Sequence, residues 1–284
     1  MILAAAAMAA GISHAATPIP PGKWSFVFKD AKGHPDRPIR VYTFRPRTCD
    51  TKCPMLFVMH GVKRNASDYR DTWQEHAERH NLLIVAPELA QKDWPRAANY
   101  NLGGVAENAN PEKWTFAAIE HLFDEMRDGQ ADYAIFGHSA GGQFVHRMLL
   151  MRPDSRVSVY IAGNPGWYAI PEWRKEKSQA AYPYSLVGSK SGEAEVRKAL
   201  GKRLVLLLGE NDNDPDDENL NKSDGAMKQG AGRVDRGENF FKSASAIAGE
   251  LGVKLGWELV EVPNTAHDSA GIAKAAAAAV YGKK

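Results

Sequence analysis

At 284 residues, with 44% hydrophobic and 25% charged side chains, the chain is long enough to bury a substantial core, and α/β folds often reach this length as one domain. A formal net charge of +2, without any Lys/Arg cluster, argues against a nucleic-acid or anionic-membrane partner. No interior apolar run approaches the ~18 residues that a membrane span needs, so none is expected.

Residues 1–12 are almost entirely Ala, Met, Ile, Leu and Gly, and Ser13-His14-Ala15 follows as a small-x-small step. Thr17-Pro18-Ile19-Pro20-Pro21-Gly22 cannot continue a helix. Residues 1–16 therefore read as a secretory signal peptide cut near Ala15 or Ala16, although no Lys or Arg precedes the apolar run; a disordered Ala-rich leader is the alternative. Residues 17–284 then form a single domain, and the expected location is periplasmic or secreted. Cys49 and Cys53 fit that compartment, where they can close a small disulfide loop; two free thiols are the alternative.

Residues 24–28 and 39–44 read as an antiparallel pair around the Gly33-His34-Pro35 turn. Residues 55–59 are continuously apolar, as in a strand buried on both faces. A helix over 67–79 is followed by a strand over 82–86, which Pro87 should stop. Trp114, Ala117, Ala118, His121, Leu122 and Met126 share the face of a helix over 114–126. A strand over 133–136, a helix over 143–151 and a strand over 157–162 come next. Strands over 204–208 and 257–262 and an Ala-rich helix over 269–280 close the chain. Two stretches break the alternation: residues 163–201, aromatic-rich and without clear periodicity, and residues 211–237, acidic and then glycine-rich. Strand–helix alternation after a hairpin implies a mostly parallel sheet with helices on both faces.

Residues 133–136 run into Gly137-His138-Ser139-Ala140-Gly141-Gly142, and a helix follows. This is G-x-S-x-G at a strand-to-helix turn. The sharp bend lifts the serine hydroxyl above the carboxyl ends of the strands, where open α/β sheets bind ligands. The Ala140 N–H, at the start of the helix, is placed to donate to an oxyanion. On these residues the sequence resembles the α/β-hydrolase superfamily, with a further likeness to exported bacterial esterases and polyhydroxyalkanoate-depolymerase-like hydrolases. The resemblance covers nearly the whole chain after the leader and implies an eight-stranded α/β-hydrolase fold. His60-Gly61-Val62, after the 55–59 strand, is similar to the family's oxyanion loop, which makes Val62 the second N–H donor; His60 reads as a structural residue holding that loop.

The family's triad order is nucleophile, acid, histidine. The strand over 204–208 ends in Gly209-Glu210-Asn211-Asp212, and Asp212 fits the family's spacing for the acid, with Asp214 and Glu210 as rivals. The acidic run beyond it lacks the spaced ligands and central glycine of an EF-hand. His267 is the only histidine after His146, so it alone satisfies the order. The expected catalytic residues are thus Ser139, Asp212 and His267, acting through an acyl-enzyme. Within the 163–201 insertion, Trp167 and Tyr168 are candidate substrate-binding residues, with packing of the insertion onto the sheet as the equal alternative; residues 99–104 offer a further wall. No metal or organic cofactor is implied. The resulting expectation is a carboxylic-ester hydrolase acting on a small-molecule or polymeric ester. An amidase or peptidase with the same triad, or a non-catalytic binding protein on this fold, are the competing readings, and the oligomeric state stays open.

Overall fold

The computed structural model describes residues 19–50, 52–178 and 180–282; the expected leader lies outside the described residues. Strands β1 (Gly22–Asp30) and β2 (His34–Arg45) form the opening hairpin. They lead into β3 (Met55–Met59), β4 (Leu83–Glu88), β5 (Tyr133–His138), β6 (Val157–Gly163), β7 (Leu204–Gly209) and β8 (Trp257–Val262). These make one eight-stranded sheet in the order β1-β2-β4-β3-β5-β6-β7-β8. Only the β1–β2 and β2–β4 pairs are antiparallel. The mostly parallel sheet of an α/β-hydrolase fold is therefore present as expected.

The interior strands β3, β5 and β7 are buried at every position, which their unbroken apolar runs demand. One face is covered by α3 (Thr115–Met126), α4 (Ala140–Met151), α5 (Glu193–Gly201) and α7 (Arg233–Leu251), which share a core with Phe57, Ile135 and Leu206. The other is covered by α1 (Ala66–Thr72), α2 (Gln74–His80) and α8 (Ser269–Tyr281), packed on Leu56, Phe136 and Leu207. The chain leaves β3 outward to β4 and then crosses back to β5 on the other side. Strand direction of travel thus reverses between β3 and β5, which opens a crevice at their carboxyl ends.

Three details differ from the sequence reading. The helix expected over 67–79 is two helices, α1 and α2, meeting at Trp73, whose buried ring packs edge-on against Phe136. Strand β4 runs through Pro87 to Glu88, because pairing with β3 ends at Phe57↔Val85 and only β2 continues alongside. With one side of the ladder finished, a missing N–H is tolerated there. The two aperiodic stretches also hold helices: α5 within 163–201, and α6 (Asp224–Met227) with the start of the 19-residue α7 within 211–237.

Cys49 and Cys53 are joined in a disulfide, both side chains buried just ahead of β3. Among the described residues no helix is long and apolar enough to cross a membrane, and no group of His, Cys, Asp and Glu is arranged to hold a metal ion.

Candidate active site

Ser139 stands between β5 and α4 with φ 57° and ψ −117°, a backbone conformation that a non-glycine residue holds at a cost of about 1–3 kcal/mol. Its surroundings explain why the turn persists. A Cβ on Gly137 would fall 2.2 Å from the Gly141 carbonyl oxygen, and one on Gly141 would fall 2.1 Å from the Met59 carbonyl oxygen. Both glycines are therefore required by close backbone approach: one lets the strand meet the helix, the other lets the helix meet the end of β3. The Ser139 N–H donates to Gly163 O at 2.9 Å, tying the turn to β6.

That approach brings the loop after β3 beside the nucleophile position, where a Cβ on Gly61 would lie 3.9 Å from the Ser139 Cβ. Val62 is 60% exposed on the loop, and Ala140 opens α4, where first-turn amides have no intrahelical acceptor. His60 is fully buried and serves the loop, as read from the sequence. Leu89 N–H donates to its Nε2 at 3.2 Å, so Nδ1–H donates to Gly61 O at 2.9 Å. Burial pushes its pKa down to about 3, so the ring stays neutral.

His267 lies on the loop between β8 and α8. Its Nδ1 is 2.6 Å from Asp212 Oδ2. An ionised carboxylate only accepts, so the contact places a proton on Nδ1, and in the neutral tautomer the lone pair is then on Nε2. The ring lies 4.7 Å, centroid to centroid, from His138, the residue before Ser139. Asp212 is buried in the loop after β7, where its N–H donates to Gly209 O at 2.9 Å. Of its rivals, Glu210 accepts from Asn264 N–H and Asp214 from Asp216 N–H; neither bonds His267.

Four further residues complete the neighbourhood and were not singled out from the sequence. Asn164 is buried at the end of β6. Its Nδ2 donates to Ala266 O at 3.1 Å and its Oδ1 accepts from Gly209 N–H at 2.8 Å, so one side chain joins the histidine loop to the acid loop. Tyr69 of α1 places its hydroxyl 3.1 Å from His138 Nδ1. Burial raises the Tyr69 pKa to about 12, and burial holds His138 well below its ordinary value, so both remain neutral. Arg233, at the start of α7, donates from Nη1 to Asp212 Oδ1 at 3.0 Å. Asn164 precedes Trp167 by three residues in the aromatic-rich stretch. Gln143, one turn after Ser139, accepts from Asn101 at 2.9 Å and so fixes residues 99–104 against α4.

The aromatic pair divides. Trp167 is 8% exposed, with its ring 4.8 Å from that of Tyr184 and the Arg147 guanidinium 4.2 Å from its centroid. Tyr168 is fully buried, stacked at 4.6 Å on Phe240 of α7 and 5.1 Å from His146. Its expected part in substrate binding is corrected to packing of the insertion, because no face of the ring is open. A cavity of about 560 Å³ lies between the insertion and α7, lined by Ile170, Tyr184, Lys228 and Ile247 among others; it shares no lining residue with the triad.

No family model matches the sequence, and no curated protein matches it. Solved structures do. The chain is similar to poly(aspartic acid) hydrolase-1 from Sphingomonas sp. KT-1, with 36% identity and a TM-score of 0.86 over 93% of this chain and 100% of that one. It is also similar to LpqC, a poly(3-hydroxybutyrate) depolymerase from Bordetella parapertussis, with 32% identity and a TM-score of 0.85 over 91% and 89%. An S-formylglutathione hydrolase from Agrobacterium tumefaciens shares the fold at 15% identity and a TM-score of 0.58 over 93% and 95%. The chain belongs to the α/β-hydrolase family of serine hydrolases. Its function is of the hydrolase and esterase kind found among these neighbours.

Proposed function

We propose that residues 17–284 act as one catalytic unit that cleaves carboxylic esters through an acyl-enzyme on Ser139. His267 Nε2 takes the Ser139 proton as the hydroxyl attacks the ester carbonyl. Asp212 holds the Nδ1 proton and stabilises the imidazolium. The Val62 and Ala140 N–H groups receive the oxyanion, each such donor being worth about 3–4 kcal/mol of barrier. His267 then protonates the leaving alcohol, and a water activated by the same nitrogen releases the acid. The observation that carries this reading is the 2.6 Å Asp212–His267 bond beside the positive-φ Ser139.

The substrate is a small ester or a polyester oligomer, a reading supported by the 32% identity to a poly(3-hydroxybutyrate) depolymerase. A second reading, amide hydrolysis with the same residues, is favoured by the 36% identity to a poly(aspartic acid) hydrolase. The buried Cys49–Cys53 disulfide supports a periplasmic or secreted location, since such bonds persist in oxidising compartments. Turnover of p-nitrophenyl esters from acetate to palmitate, then of 3-hydroxybutyrate and aspartate oligomers, by the parent and Ser139→Ala tests the proposal. Ester turnover that falls by roughly 10⁴-fold or more in the variant supports it. Turnover surviving in Ser139→Ala overturns the nucleophile, and activity confined to aspartate oligomers transfers the assignment to amide hydrolysis.

A further inference from the structure

The acidic loop after Asp212 has a partner that the triad alone does not explain. Arg233 is buried, and its single nitrogen Nη1 lies 3.0 Å from Asp212 Oδ1 and 3.1 Å from Asp217 Oδ2. Asp212 therefore has each oxygen committed, one to His267 and one to Arg233. We propose that Arg233 and Asp217 form a charge clamp that positions the triad acid and sets the pH at which His267 becomes an active base. Arg233 is a positioning residue in this account, acting through Asp212, and the inference rests on the triad reading above.

The geometric part follows from the two bonds. A carboxylate held at one oxygen can turn about its Cβ–Cγ bond; held at both, its plane is fixed, and with it the direction of the His267 ring. Loss of such alignment by about 1 Å can cost on the order of 10²-fold in rate. The electrostatic part follows from the charges. With His267 neutral, the cluster Asp212, Asp217, Arg233 and His267 carries two negative charges and one positive. When His267 takes the serine proton the cluster becomes neutral. Without Asp217 the same step would leave a net positive cluster, and without Arg233 it would leave a net negative one. Asp217 thus favours the imidazolium and Arg233 opposes it.

The remaining charged or titratable groups nearby are either bonded elsewhere or neutral. On α7, Arg236 donates to Gly230 O and Gly166 O, and Asp235 accepts from Gly232 N–H. From the insertion, Tyr168 faces the pair with a buried, neutral hydroxyl. From the nucleophile turn, His138 stays neutral. Asp268 caps α8 through the Ala270 and Gly271 N–H groups, Glu210 accepts from Asn264 N–H, and Asp214 accepts from Asp216 N–H. Asp216 pairs with Lys222 at 3.6 Å. Among the described residues no other side chain bonds Asp212.

The test is the pH profile of kcat/KM for an ester that the parent turns over, measured for Arg233→Met, Arg233→Lys and Asp217→Asn. The clamp predicts that Arg233→Met lowers kcat by roughly 10- to 100-fold with KM nearly unchanged. It predicts that the acid limb moves to higher pH in Arg233→Met and to lower pH in Asp217→Asn, each by about half a pH unit. Arg233→Lys, which keeps the charge, should return the limb towards the parent. A salt bridge that merely tethers α7 would alter folded yield and leave all limbs coincident, and that result overturns the proposal. Should Arg233→Met fail to fold, the partly exposed Asp217→Asn decides alone, a lowered limb supporting the clamp and an unmoved one refuting it. Ser139→Ala, run alongside, separates the two levels: if it stays active the triad reading falls, whereas if it is dead and the limbs coincide only the clamp falls.

Discussion

Among the described residues, two aspartate–histidine pairs have similar lengths and very different surroundings. Asp30 Oδ1 lies 2.8 Å from His121 Nδ1, and Asp212 Oδ2 lies 2.6 Å from His267 Nδ1. His121 also meets Glu112 through Nε2 at 3.1 Å, so both of its nitrogens are engaged by carboxylates and neither faces a hydroxyl nucleophile. The pair locks the β1–β2 turn onto α3. His267 is held at Nδ1 alone, beside the residue preceding a strained serine. A hydrogen-bonded aspartate and histidine therefore do not by themselves make a site; the proposed one also needs a ring nitrogen left for proton transfer and a nucleophile beside it.

Substitutions at the two pairs should break in opposite currencies. Asp212→Asn is expected to lower kcat by roughly 10⁴-fold, since the amide no longer enforces the working tautomer, while the protein still folds. Steady-state kinetics with a circular dichroism control checks it. Gly141→Ala comes next and probes the backbone on which the catalytic pair depends. Its new Cβ would press on the Met59 carbonyl, so a loss of at least about 3 kcal/mol in urea unfolding is expected.

His121→Gln should leave kcat almost unchanged and instead remove about 2 kcal/mol of stability at pH 5. Burial pulls the His121 pKa down, but hydrogen bonds to Asp30 and Glu112 more than offset this and hold it above 6.5. The histidine's contribution is therefore fully present below pH 6.5 and fades as pH rises through the raised value, so the variant should resemble the parent more closely at pH 9. The carboxyls run the other way. Burial raises Asp30, yet His121 and the Gly33 N–H bring it below 3.8, and the His121 hydrogen bond brings Glu112 below 4.5. Their contribution is present above those values and is lost as pH falls below them. Thermal unfolding across pH 3–9 tests both signs, and a parent–variant difference that does not vary with pH would contradict them.

Much of the turn around Ser139 and the loop beside it was legible in short stretches of sequence because backbone contacts build them. Gly137, Ser139 and Gly141 sit at fixed offsets between an apolar strand and a helix, and His60-Gly61 ends an unbroken apolar run. The order of Ser139, Asp212 and His267 along the chain pointed to the Asp212–His267 pair that the fold brings together. What stayed hidden depends on partners distant in sequence. Arg233 reaches Asp212 across 21 residues, and Asn164 reaches Ala266 across 102. Neither spacing has a local signature. Helix α7 was not read from the sequence at all, although it carries a signal: Phe240, Ala244, Ile247, Ala248 and Leu251 recur at helical intervals, and Gly237 and the polar residues before it obscure where it begins. Tyr168 shows the opposite limit. An aromatic in an irregular insertion looks the same in sequence whether it lines a pocket or fills a core, and here Phe240 and His146 enclose it.

The proposed chemistry requires the Ser139 hydroxyl oxygen to bond to substrate. Its most direct measurement is labelling with a fluorophosphonate probe, with the modified residue located by peptide mass spectrometry. A single adduct on the peptide containing Ser139, absent from Ser139→Ala and formed in step with loss of ester turnover, is the predicted result. An adduct at another residue, or full turnover in the labelled enzyme, would contradict it.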